Sequence, residues 1–316
     1  MRKILVPLDG SAFAEQAVET ARAIAHRAGA GIEFLSVHQP DVPASRLSGA
    51  PSRDTRLDVE LHNSIQTYIQ RIERAERARS TFEVNGVLRE GPVADSIVAQ
   101  AVEGSADLIV MTTHGRSGLG RLWLGSVADR VIRSSTVPVL LVRLGETPVA
   151  GAVPLRTVVV GAAGNDEDDR VVTASVDVTE LAGVEYTLVH VLTPPPRIAA
   201  VDPAVGPPPD EMAGLPANVD TDRVNAAERY LEWMAGPLRA RGATARTRLV
   251  KAASTPQALV DVAREVQADL VVVGTAARSP IARFFLGSTA DKVVRTAPCS
   301  VLVCPPPRHP EQQSRF

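Results

Sequence analysis

Two stretches of the chain carry the residue types that hold an anion. Thr113–Val131 reads THGRSGLGRLWLGSVADRV, and Thr275–Val293 reads TAARSPIARFFLGSTADKV. Glycines at the end of a strand let the backbone approach a ligand closely or adopt positive φ. The helix that opens at Gly125-Ser126 offers free backbone N–H groups and the positive end of its dipole. Ser126 can cap that helix or give its hydroxyl to a phosphate oxygen, and Arg116 and Arg121 add positive charge. The chemistry that fits is capture of a phosphate-bearing ligand. A strand–Gly–helix turn with a serine cap is also ordinary α/β construction. What favours function is loop length: nine residues separate Gly115 from Gly125, nine separate Ala277 from Gly287, and serine follows both.

The elements that must position these loops occur twice. KILVPLDGS from Lys3 is matched by TVVVGAAGN from Thr157, and IEFLSVHQP by VEYTLVHVLTP. SADLIVMTTHG is matched by QADLVVVGTAA and STVPVLLV by TAPCSVLVC, in the same order. A unit of this size is a duplicated domain rather than a solenoid repeat. The first half predicts strands at Lys3–Leu8, Gly31–His38, Thr81–Leu88, Leu108–Thr112 and Val137–Val142. Helices fall at Phe13–Ala28, Leu57–Arg77, Val93–Glu103 and Ser126–Ser134. Second-half helices are predicted at Asp168–Ala182, Asp222–Leu238, Pro256–Val266 and Ser288–Arg295. Runs such as DLIVM and PVLLV are apolar at nearly every position, as strands covered on both faces are. Strand–helix alternation gives the fold class: α/β, two tandem doubly wound Rossmann-like domains with parallel sheets and helices on both faces. Domain boundaries are expected at 1–145 and 155–306, with the glycine- and proline-bearing Arg143–Arg156 as linker. The proline-rich Thr193–Asp220 and its counterpart Gln39–Arg56 read as surface loops, with a lid over the pocket as the alternative.

Composition narrows the function. With 316 residues, a net charge of −2 and 3% aromatics, the chain suits neither a basic nucleic-acid surface nor a stacking platform for single strands. No run approaches the length of a membrane span and MRKILVPLDGS lacks a signal-peptide core, so a cytoplasmic protein is expected. Cys299 and Cys304 on one strand are too far apart for a disulfide. No Gly-Lys-Ser/Thr occurs, and Trp123 stands where a third glycine would complete the dinucleotide fingerprint begun by Gly118 and Gly120. No metal-ligand cluster and no catalytic set can be assembled. His38 and His190 read as structural, His114 as a solvated loop residue, and Asn165–Asp169 as the acidic first turn of a helix.

The loop spacing resembles the G-x2-G-x9-G-S/T signature of ATP-binding universal stress proteins, and both halves are similar to that domain. The resemblance implies a five-stranded sheet in each half, order 3-2-1-4-5, with adenosine over strands one and two and phosphates on the strand-four loop. It implies cofactor-binding positions at Pro7, Leu8, Asp9, Val37, Met111, Thr112, Gly115, Arg116, Gly125, Ser126 and Val127. Asp9 would face the ribose or adenine side and Val37 the base. Thr112 departs from the family, which has glycine there. A weaker second site falls at Val191, Gly274, Gly287, Ser288 and Thr289.

The second copy departs further: Ala163 stands for Asp9, Ala277 for Gly115, and an acidic run would repel polyphosphate if it faced the pocket. One nucleotide per chain is therefore expected, in the first half. The reading is a stress-response protein that binds ATP or a related adenine nucleotide, with or without Mg2+. The alternatives are a slow ATPase or phosphotransferase, or a nucleotide-free scaffold. The last strands of the two halves should lie at sheet edges and pair with each other. A homodimer of the whole chain is a further option.

Overall fold

The computed structural model describes residues 1–40, 55–113, 124–143, 155–179, 183–194, 218–275 and 286–306. In the first half β1 (Lys3–Pro7), α1 (Ala12–Ala28), β2 (Gly31–His38), α2 (Thr55–Arg77), β3 (Val84–Glu90), α3 (Val93–Glu103), β4 (Leu108–Thr112), α4 (Ser126–Ser134) and β5 (Val139–Val142) follow one another. The second half repeats the series as β6 (Thr157–Ala162), α5 (Asp168–Val178), β7 (Glu185–Leu192), α6 (Asn218–Ala240), β8 (Thr244–Lys251), α7 (Thr255–Glu265), β9 (Leu270–Gly274), α8 (Ser288–Thr296) and β10 (Ser300–Cys304). Strands alternate their burial between two faces. Ile4 and Val6 join a core with α1, α2, α5 and α6, whereas Leu5 joins a core with α3, α4, α7 and α8.

Each half has the strand order expected from the resemblance, and the last strands of the two halves pair with each other as expected. The two halves form one ten-stranded sheet in the order β3-β2-β1-β4-β5-β10-β9-β6-β7-β8. Every neighbouring pair is parallel except the central one, where β5 and β10 run antiparallel with Leu302 opposite Leu140. The two halves are thus related by an approximate twofold at that seam.

Local differences from the sequence expectations have local causes. β5 starts at Val139 rather than Val137 because Pro138 has no N–H to give to a ladder; the Ser135 hydroxyl instead grips both the N–H and the carbonyl of Val137. α5 stops at Val178 because Thr179 turns extended and bonds the Tyr186 hydroxyl. The duplication reaches fine detail. Asp107 accepts from the backbone of Arg2 and Lys3, and Asp269 accepts from Arg156 and Thr157. Ser105 and Gln267, each shortly before one of these aspartates, are the non-glycine residues with positive φ among the described residues. The linker 144–154 and most of both proline-rich segments lie outside the described residues.

Beside the seam, α4 and α8 place four charges in a closed ring. Arg133 bonds Asp129 at 2.9 Å and Asp291 at 2.8 Å; Arg295 bonds Asp129 at 2.9 Å and Asp291 at 3.2 Å. The Arg133 hydrogen bond is the main cause that holds the Asp129 carboxyl below its ordinary range, with partial burial opposing it. A carboxyl depressed in the folded state contributes stability above its unfolded pKa and loses it as pH falls through the folded one. Asp129→Asn should therefore lower the thermal midpoint at pH 7. The gap to the parent should narrow as pH drops below about 4, which melting curves between pH 7 and pH 3 will show.

Candidate nucleotide site

Strands β1, β2 and β4 end at one rim of a cavity of about 700 Å³. Crevices outside the carboxyl ends of parallel strands are where ligands bind in such folds, at the point where the strand order reverses. Here that point lies between β1 and β4. The chain after β1 turns sharply through Gly10, whose φ of 82° favours glycine. The Asp9 carboxylate accepts from the Ser11 N–H at 2.9 Å and from the Ser11 hydroxyl at 2.6 Å. That hydroxyl accepts in turn from the Ala14 N–H and caps α1. Asp9 is so held at the cavity wall by the cap of the next helix. The Ser36 hydroxyl donates to the Leu8 carbonyl at 2.9 Å and ties the end of β2 to the same turn.

Pro7, Leu8, Asp9, Val37, Met111, Thr112, Gly125, Ser126 and Val127 all line this cavity. Gly115 and Arg116, like Arg121 and His114, lie outside the described residues. One sequence expectation needs correction. Ser126 is not the cap of α4 but its first residue. Gly125 is the N-cap, at φ −61°, and among the described residues no side chain makes a cap bond there. Gly125 therefore does not serve a positive φ, and its own N–H is spent on the Thr113 carbonyl at 2.9 Å. The first-turn N–H groups of Ser126, Val127 and Ala128 belong to residues at the cavity wall, the arrangement that favours an anion.

Residues that sequence reasoning missed come from α2 and β2: Ser36, His38, Ile65 and Tyr68 also line the cavity. His38 is buried and its Nε2 lies 3.0 Å from Asp58, which fastens the start of α2 to the end of β2. A helix facing solvent on one side and a ligand cavity on the other carries no motif that distinguishes the two.

The second half keeps the glycine-capped helix start and alters the other end. Gly287 is again an uncapped N-cap, at φ −55°, before Ser288 and Thr289. Gly274 closes β9, and Ala277 lies outside the described residues. Strand register puts His190 opposite Ala162, the place that Ser36 takes beside Leu8. Val191 follows it as Val37 follows Ser36. Val37-His38 and Val189-His190 are alike in letters but not equivalent, because His38 sits two positions further along its strand. The His190 ring bonds the Ala162 carbonyl at 2.9 Å and lies 3.2 Å from where a Cβ on Gly164 would be.

Asp168 and Asp169 stand in the acidic first turn of α5, as expected, and Asp168 has a further role. It is 2% exposed and turns into the loop, where its carboxylate accepts from the N–H of Ala163 at 2.9 Å, Gly164 at 2.7 Å and Asn165 at 3.4 Å. The Tyr230 hydroxyl adds a fourth bond to it at 2.8 Å. Its charge is spent on these donors. Burial first, and then the Asp168 bond, push the Tyr230 phenol above its ordinary range, so it stays a proton donor.

This fold defines a tandem α/β protein with a crevice at the carboxyl ends of its first-half strands. A model of the Universal stress protein family matches residues 1–143 and again 154–305. The chain belongs to the universal stress protein family, with two copies of its domain. A universal stress protein of Thermus aquaticus is 35% identical over 149 residues, covering 45% of this chain and 98% of that protein. One from Mycolicibacterium smegmatis is 27% identical over 309 residues, covering 96% of this chain and 97% of the other. In fold, the chain resembles the crystal structure of a universal stress protein from Archaeoglobus fulgidus, with a TM-score of 0.65 at 18% identity, covering 96% of both chains.

The contrast between the halves yields a stability prediction. Removing a buried acceptor strands the donors that it served, at roughly 1–3 kcal/mol for each such group. Asp168→Ala should therefore cost at least about 2 kcal/mol in urea unfolding. Tyr68→Phe, at the first-half position that corresponds to Tyr230, should change stability little.

Proposed function

We propose that this protein binds one adenine nucleotide per chain, ATP or a close relative, in the first-half cavity, and acts as a nucleotide-dependent stress-response protein rather than a fast enzyme. The observation that carries the reading is the convergence on one cavity of an uncapped helix N-terminus at Gly125-Ser126 and a carboxylate, Asp9, fixed by Ser11. The helix end suits phosphate. Asp9 suits the hydroxyls of a sugar, since a carboxylate accepts and does not donate. Leu8, Val37 and Met111 supply apolar surface for a base. The size agrees with a nucleotide, since pockets for such ligands span about 300–1,000 Å³. Mg2+ would ride on the phosphates; among the described residues no group of three His, Cys, Asp or Glu is arranged to hold a metal ion.

The second half is read as a degenerate pocket that serves the fold. Ala163 offers no carboxylate, His190 takes the space of a serine, and Asp168 with Tyr230 closes the loop after β6 on itself. Losing one or two hydrogen bonds to a charged ligand costs about 1.5–3 kcal/mol each, which moves a micromolar site towards millimolar.

A paired substitution tests the assignment. Gly125→Val puts a side chain where phosphate meets backbone and should weaken ATP binding at least about tenfold in calorimetry. Gly287→Val makes the same change in the second half and should leave the measured affinity unaltered. Equal effects, or none from Gly125→Val, would refute the reading.

A further inference from the structure

The internal duplication supplies its own comparison for one residue of α2. Tyr68-Ile69 and Tyr230-Leu231 hold corresponding places on α2 and α6, with Ile69 and Leu231 both buried in the core beneath. In the second half the tyrosine hydroxyl is fully used: it donates to Asp168 at 2.8 Å and lies 3.0 Å from the Asn165 carbonyl. In the first half the Tyr68 hydroxyl is withdrawn from solvent and has no hydrogen-bond partner among the described residues. Yet Tyr68 stands on the wall of the cavity, in the electrostatic reach of Glu15 and Asp9. The Glu15 carboxylate approaches the phenol without completing a hydrogen bond of proper geometry. A phenol shielded from water without a partner carries a desolvation cost, and such groups call for an explanation. Position 14, where Asp168 has its equivalent, is an alanine, so the partner that Tyr230 found is not available to Tyr68.

We propose that Tyr68 is a specificity-determining residue that reads the sugar of the bound nucleotide: its phenol donates to one ribose oxygen while the Asp9 carboxylate accepts from the neighbouring hydroxyl. The inference rests on the adenine-nucleotide reading of the cavity. A vicinal diol is best held by an acceptor together with a donor, and the cavity wall presents one of each within electrostatic reach of the other. Burial, followed by the charge and hydrogen-bonding pull of Glu15 and then by the charge of Asp9, pushes the Tyr68 phenol well above its usual range, so at neutral pH it has a proton to give. The Arg71 guanidinium lies 5.5 Å from the ring centroid and steadies the ring in this position. A tyrosine kept for packing alone would need only its ring; the hydroxyl is what packing leaves unexplained.

The test compares ATP with 2′,3′-dideoxy-ATP on the full chain and on Tyr68→Phe, which keeps the ring. The parent should bind ATP at least about tenfold more tightly than the dideoxy compound, because the analogue offers no hydroxyl to either Tyr68 or Asp9. Tyr68→Phe should lose about fivefold in ATP affinity, the worth of one hydrogen bond, and keep its affinity for the dideoxy compound within about twofold. Equal weakening of both ligands would make Tyr68 a packing residue and overturn the inference. So would a parent that fails to discriminate, a result that needs no variant. ATP binding unaffected by Tyr68→Phe would overturn this inference and leave the nucleotide reading standing. A parent that binds neither ligand would overturn both.

Discussion

The structure depends on what becomes of the outer edge of β5. A parallel sheet of order 3-2-1-4-5 ends on its fifth strand, and an edge strand presents a row of unpaired N–H and C=O groups. β5 is short and apolar at every position, with no charge within it to guard an open edge. The chain meets it with its own second copy, pairing β5 with β10 antiparallel. The seam is then reinforced from both sides. The Arg143 N–H donates to the Ser300 hydroxyl, its guanidinium reaches the Ala297 carbonyl, and the α4–α8 ring of two arginines and two aspartates closes over one face. Because Asp129-Arg133 and Asp291-Arg295 are the same letters in the two copies, one i,i+4 pair on each helix suffices to build the whole ring.

Once the second copy is needed for its edge, its pocket is free to change. The turn after the first strand of each half shows how. Both turns pass through a glycine of positive φ, Gly10 and Gly164, and both leave backbone N–H groups to satisfy. In the first half an exposed carboxylate, Asp9, accepts from Ser11 and stays at the cavity wall. In the second half the carboxylate comes from inside the following helix, and Tyr230 locks it there. One solution leaves a polar group facing the cavity. The other consumes its polar groups internally. The same backbone therefore carries two outcomes that differ in whether polar groups are reserved or spent.

The alternation of elements was legible in the sequence because it rests on period. DLIVM and PVLLV read as strands covered on both faces, and α3 and α4 have the bounds read from the letters alone. The positions at strand ends were legible too, since Asp9, Val37 and Gly125 are adjacent in the chain to the elements that aim them. Other features were not. The pairing of the two last strands was expected because each is a sheet edge, but its register, with Leu140 opposite Leu302, is encoded by no local pattern. Asp168 is the first-turn acid that the letters indicate, but only the fold shows the turn of Ala163–Asn165 lying over it. Tyr68, His38 and Ser36 reach the cavity through choices of helix face and strand register. There the likeness of Val37-His38 to Val189-His190 misleads, since it is Ser36 that His190 answers to. Register, not resemblance of letters, decides which side chain reaches the pocket.

The central claim is that two domains of one fold share a single usable nucleotide pocket. Equilibrium dialysis of the full chain against labelled ATP, carried to saturation, counts the sites directly. The account predicts that binding saturates at one nucleotide per chain. Saturation at two equivalent nucleotides per chain would contradict it.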